Sequence, residues 1–238
     1  MTEPDDQTNS ASEATPTGDA CAAGLVIAID GPAGAGKSTL ARRLATALRL
    51  PYLNTGSMYR ALTRRALDRG VDPTDARALA ALAATMRFDL DSSLMPPQLR
   101  IDGQVPGHEL TDLDVDKTVS SVSRHPEVRR IMVVEQRRLG APGAVVEGRD
   151  IGTVVFHDAP VKIFLDASET ERAGRRTIER GGEAGIAAGM ARRDALDSKV
   201  NPLVPAPDAV HIDTTDRQPD EVFREAMALV RRRLGGEP

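Results

Sequence analysis

Tryptophan is absent from the 238-residue chain, and aromatic residues make up only 3% of it. Base-stacking platforms of the kind that single-strand nucleic-acid binders use are therefore not expected. Leu, Val, Ile and Ala must fill the interior, and a hydrophobic content of 40% supplies them. The lone cysteine, Cys21, excludes an internal disulfide. The four histidines, His108, His125, His157 and His211, lack metal-ligand spacing, so structural or surface roles are expected for them. No apolar run approaches membrane-spanning length and no basic n-region precedes one, which gives a soluble, cytoplasmic protein as the expectation. Positive charge is missing from residues 1–24, where Glu3, Asp5, Asp6, Glu13 and Asp19 stand without a Lys or Arg. With a net charge of −4 overall, the rest of the chain is close to balance. Nothing in that balance argues for a nucleic-acid or membrane partner, and a monomer binding small molecules is expected.

The first 24 residues, rich in Asp, Glu, Thr, Ser, Ala and Pro, have the composition of a disordered acidic tail. Residues 25–238 are expected to form one α/β domain. The run Leu25-Val26-Ile27-Ala28-Ile29 suits a buried parallel strand. After a Gly-rich loop, Leu40, Leu44, Ala47 and Leu48 fall on one helical face, and Pro51 closes that segment before a short strand at Tyr52-Leu53. Helical patterns follow over residues 57–69, 75–84, 113–123, 126–139 and 220–234. Further buried strands are expected at 144–146, 161–165 and 210–212. Alternation around Met86, Phe88 and Leu90, with Leu99-Arg100-Ile101 meeting the turn signal Asp102-Gly103, predicts a small antiparallel insertion. Five parallel strands separated by helices imply a three-layer α/β sandwich.

Gly31-Pro32-Ala33-Gly34-Ala35-Gly36-Lys37-Ser38 satisfies G-x-x-x-x-G-K-[ST] between a strand and a helix. Glycines there let successive N–H groups converge on an anion at a helix N-terminus. Lys37 is placed to reach the β and γ phosphates of ATP, Ser38 to ligate Mg²⁺, and the backbone from Gly31 to Thr39 to cradle the donor phosphates. The loop alone leaves open a kinase, a GTP-driven switch, a motor or a nucleotide-binding regulator. No Asn-Lys-x-Asp guanine signature follows a strand.

Two further segments sit at strand ends, where α/β proteins bind ligands. Asn54-Thr55-Gly56-Ser57-Met58-Tyr59-Arg60 follows the second strand, and Glu147-Gly148-Arg149-Asp150 follows a later one. Arg60 reads equally as an exposed helix arginine or as a ligand for an acceptor phosphate. Gly148 permits close backbone approach. Together with Ile27-Ala28-Ile29-Asp30 ahead of the loop, Ile151-Gly152-Thr153-Val154-Val155-Phe156, and residues 159–168, these segments closely resemble bacterial cytidylate kinases. The resemblance covers nearly everything after the tail. It implies an adenylate-kinase-like fold and transfer of the ATP γ-phosphoryl group to CMP or dCMP. It also implies that Thr55, Arg60, Ser120, Arg129, Glu147, Arg149, Asp150 and Asp197 line the acceptor site, and that Lys37, Arg149, Asp150 and Arg193 serve catalysis. Residues 85–119 resemble the family's enlarged monophosphate-binding insertion, and residues 168–200 its lid. A kinase for UMP or another small acceptor, and a catalytically weak nucleotide-binding regulator, are the competing readings.

Ser168 and Glu171 form an S-x-x-E capping box at the head of a helix that carries Arg172, Arg175, Arg176 and Arg180 as one basic stripe. Such a stripe is ordinarily a solvated face. Similarity to the family's lid implies instead that it closes over ATP. One departure stands out: the family pattern has an arginine three residues after the aspartate matched by Asp197, and Val200 occupies that position. Lys199 supplies a charge nearby but not a planar fork, leaving Arg193 and the stripe to compensate.

Overall fold

The computed structural model describes residues 24–179 and 203–235. Arg180, Arg193, Asp197, Lys199 and Val200, like nearly all of the acidic tail, lie outside them. The chain runs β1 (Val26–Asp30), α1 (Lys37–Leu48), β2 (Tyr52–Asn54), α2 (Thr55–Asp68), α3 (Ala76–Ala84), β3 (Phe88–Asp91) and β4 (Gln98–Ile101). It continues through a 3₁₀ turn (His108–Thr111), α4 (Leu113–Ser123), α5 (Pro126–Gly140), β5 (Ala144–Gly148) and a π turn (Ile151–Val155). Next come β6 (Val161–Asp166), α6 (Glu169–Glu179), β7 (Val210–Asp213) and α7 (Pro219–Arg233).

β1 lies between β5 and β6 and is buried on both faces, as its unbroken apolar run requires. Its side chains alternate between two cores. Val26 and Ala28 join the residues of α2, α3 and α5, including Met58, Leu62, Leu79 and Met132. Ile27 and Ile29 pack with Leu40 and Leu44 of α1 and with Val222, Ala226 and Leu229 of α7. The period of two along the strand thus produces the three layers directly.

The sheet has seven strands, in the order β3-β4-β2-β5-β1-β6-β7, rather than five. The five expected strands form its parallel core. The predicted hairpin is antiparallel, Leu90 opposite Leu99, but it is not separate. Tyr52 pairs in parallel with Gln98, so β4 continues the sheet past β2. A single residue pair makes this junction, which is why alternation within the hairpin could not reveal it.

Chain direction across the sheet changes at β1: β2 lies two places to one side, while β6 and β7 follow on the other. The carboxyl end of β1 is therefore a topological switch point, where such sheets bind ligands. No helix among the described residues is long and apolar enough to cross a membrane.

Candidate active site

The loop from Gly31 to Ser38 leaves the switch point and enters α1. Gly36 adopts φ 89° at the helix N-cap, and no side chain caps the first turn. The first N–H groups of α1 have no intrahelical partners, which leaves them available to an anion. Lys37 bends back so that Nζ donates to the Pro32 carbonyl at 2.7 Å. Burial pushes its ammonium down to about 8, helped by repulsion from Arg149 and Arg176 and opposed by attraction to Glu147.

Glu147, at the end of β5, is 3% exposed and organises the opposite wall. Its Oε2 accepts from the Ser38 hydroxyl at 3.0 Å, and its Oε1 accepts from the buried Tyr52 hydroxyl. Asn54 Nδ2 donates to the same Tyr52 oxygen at 3.3 Å. Burial, reinforced by the Glu147 carboxylate, pushes the Tyr52 phenol far above its ordinary range, so it stays a donor. Beneath the loop, buried Asp30 accepts at 2.7 Å from both the Ile151 and the Gly152 N–H. Desolvation raises its carboxyl to about 6 despite these two bonds. Asp30 thereby fastens the chain that follows Asp150 to the strand that feeds the loop.

Arg60 of α2 and Arg149 line one crevice of about 160 Å³ with Lys37, Ser38, Glu147 and Arg176. Arg60 also donates to the Leu110 carbonyl at 2.9 Å and pairs with Asp116 at 2.6 Å. It is therefore not an ordinary exposed helix arginine. Thr55 is buried, with its hydroxyl donating to the Glu147 carbonyl at 2.8 Å, so it holds β5 against the start of α2. Asp150 forms an ion pair with Arg129 of α5. On α4 the Ser120 hydroxyl is buried without a hydrogen-bond partner among the described residues. An unsatisfied buried hydroxyl has a cost, and a ligand group would relieve it. Arg193 and Asp197 fall outside the described residues.

Gly148 does permit a close approach, made by protein side chains: a Cβ there would stand 2.6 Å from Ile151 Cδ1 and 2.7 Å from Thr55 Oγ1. Gly148→Ala is expected to cost about 1–3 kcal/mol through overpacking. Urea unfolding checks this, and an unchanged midpoint would contradict it.

The three described arginines of the stripe, Arg172, Arg175 and Arg176, do not form a solvated face. Arg172 is buried and donates to the Ala33 and Ala167 carbonyls, Arg175 turns to Thr214, and Arg176 reaches the crevice. Of the expected capping box one arm forms, the Ser168 hydroxyl accepting from the Glu171 N–H at 3.3 Å, while the Ser168 N–H donates instead to the Thr215 hydroxyl at 2.9 Å and the Glu171 carboxylate accepts from Arg175. The crevice-lining Asn54 lies in the segment marked out after β2, while Asp30, Tyr52 and Thr214 were missed at the sequence level. Asp30 had a visible signal, since it is an acid closing an apolar strand. Nothing in spacing marked the others.

Among the described residues of the crevice, the Ser38 hydroxyl and the Glu147 carboxylate, 3.0 Å apart, would serve a divalent cation. This all-oxygen pair suits Mg²⁺, which binds through few protein oxygens together with nucleotide phosphates.

A phosphate loop at the switch point of a parallel sheet, facing arginines across one crevice, defines the P-loop kinase class. The cytidylate kinase family model matches residues 27–232. A cytidylate kinase from Rhodococcus jostii (strain RHA1) is 45% identical over 221 residues, covering 89% of this chain and 96% of that protein. One from Geobacillus kaustophilus (strain HTA426) is 47% identical over 224 residues, covering 89% and 98% respectively. The chain belongs to the cytidylate kinase family.

Proposed function

We propose that this chain transfers the γ-phosphoryl group of ATP to CMP or dCMP, giving ADP and CDP or dCDP. Family membership supports this reading, and one observation carries it at the residue level. The donor loop's Lys37 and Ser38 and the acceptor-side Arg60 and Arg149 line a single crevice. An oxygen of the acceptor phosphate attacks the γ-phosphorus while the bond to the β–γ bridging oxygen breaks. No protein group needs to become covalently attached.

Positioning and neutralisation of charge are what such a transfer requires. Lys37 and the loop N–H groups hold the β and γ phosphates. Arg60, Arg129 and Arg149 orient the acceptor phosphate, with Arg60 and Arg129 exchanging Asp116 and Asp150 for it. Ser120 and Asp150 contribute polar contacts to the nucleoside, and Asp197 belongs to the same site. Arg193 and Arg176 approach the transferred group from the lid, residues 168–200. Residues 85–119 bound the acceptor side as the monophosphate-binding insertion. Ser38 and Glu147 would hold Mg²⁺, which would neutralise charge on the phosphate oxygens.

The test is to follow a γ-labelled phosphoryl group from ATP. Label appearing in CDP when CMP is supplied is the expected result. Label appearing only in inorganic phosphate would overturn the reading.

A further inference from the structure

Four successive carbonyl oxygens of the phosphate loop are engaged by protein donors. The Pro32 oxygen accepts from Lys37 Nζ at 2.7 Å. The Ala33 oxygen accepts from Arg172 Nη1 at 3.1 Å, and the Gly34 oxygen from Arg175 Nη1 at 3.5 Å, the longest of the set. The Ala35 oxygen lies 3.2 Å from the Thr214 hydroxyl. In a planar trans peptide the C=O and the following N–H point in opposite directions. Fastening the Ala33 and Ala35 carbonyls to α6 and to the turn after β7 therefore aims the Gly34 and Gly36 N–H groups the other way. Gly34 and Gly36 both line the crevice on that side.

The two outermost members of this brace do not line the crevice. Thr214 is 3% exposed, and its hydroxyl accepts from Arg175 Nη1 at 2.9 Å. With its one proton it serves Ala35 O or Asp166 O, the latter at 3.1 Å. Arg175 donates through Nη2 to the Thr214 carbonyl at 2.6 Å, and Nε donates to Glu171 at 3.0 Å. Both arms of the guanidinium fork thus grip one threonine, Nη1 also reaching the Gly34 carbonyl at 3.5 Å, with the charge balanced by a neighbour on its own helix. Space around the loop is tight: Gly34 has φ +79°, and a Cβ there would stand 2.7 Å from the Arg172 carbonyl oxygen. A loop packed this closely against α6 transmits a change in the brace to its peptide planes.

We propose that Arg175 and Thr214 are positioning residues for the donor nucleotide: Thr214 acts through the Ala35 carbonyl to keep the Gly36 N–H turned toward the phosphates, and Arg175 holds Thr214 in place. The inference rests on the reading of this loop as the ATP site. It assigns the pair no contact with either substrate.

Calorimetric titration of the full chain with ATP alone, and separately with CMP alone, tests it. Thr214→Val removes the hydroxyl at nearly constant shape and is expected to weaken ATP binding about tenfold, the loss of roughly one hydrogen-bonded tie. Affinity for CMP stays unchanged. Thr214→Ser restores the hydroxyl and binds ATP like the native chain, a rescue that a purely packing role would not show. Arg175→Lys keeps the charge beside Glu171 without the fork, and it too weakens ATP alone. Should the valine variant not fold, the serine and lysine variants still decide. Native ATP affinity in both Thr214→Val and Arg175→Lys would overturn the proposal, as would equal weakening of ATP and CMP. A native chain that binds no ATP would instead overturn the kinase reading, and this inference with it.

Discussion

Lys37→Ala lowers kcat by roughly 10³-fold, the scale expected when a preorganised donor to developing charge is removed. The ammonium donates to the Pro32 carbonyl and is close enough to Glu147, Arg149 and Arg176 for all three to act on its charge. An anionic β,γ-phosphate group is a stronger partner than a carbonyl, so binding should draw Lys37 out of that contact. The fold survives the substitution, because the side chain lies in the crevice wall and neither core contains it. A pH signature accompanies the loss. With the ammonium depressed to about 8, the free chain sheds this proton as pH rises through that value. Phosphate favours the charged form, so ATP binding takes a proton up near pH 8 and ATP affinity falls above it. Titration calorimetry in two buffers of different ionisation enthalpy reads that uptake. Lys37→Ala should show none from this group, and full activity in the variant would contradict the donor-site account.

Arg149→Ala is the second large effect, a fall of roughly 10³-fold in kcat/KM for the acceptor. Arg149 shares the crevice with Arg60 and Lys37, and its charge is felt at Lys37. On the proposed reading of the crevice it serves the acceptor phosphate beside the transferred group, where negative charge is most concentrated. Arg149→Lys keeps the charge but loses the fork that can grip two phosphate oxygens, and it recovers about one decade of the loss. Steady-state rates at varied CMP and saturating ATP separate this from a donor defect, since KM for ATP changes little. A variant weakened only toward ATP would place Arg149 in the donor site instead.

The parts legible in the sequence were those encoded locally. β1 could be read because burial on both faces demands a continuous apolar run, and the loop because a glycine-rich anion site fixes residue types at fixed spacing. α4 and α5 begin where predicted, the latter at Pro126. What escaped depends on contacts between distant segments. Asp30 meets Ile151 and Gly152 from more than a hundred residues away, and Tyr52 meets Glu147 from 95. The π turn at Ile151–Val155 has no period of its own and is held by those Asp30 bonds. Arg172 and Arg175 sit on a helix whose spacing suggests a solvent-facing stripe, and only the packing of α6 against the loop turns them inward. Thr214 carries no sequence signal, since its role exists only where β7 ends beside β6 and the loop.

Initial rates of ADP release with Mg-ATP and each of CMP, dCMP, UMP, AMP and GMP test whether the chain phosphorylates a cytidine monophosphate. The predicted result is a kcat/KM for CMP or dCMP well above the other three. Preferential turnover of UMP or AMP, or ATP and CMP binding with no diphosphate formed, would contradict it.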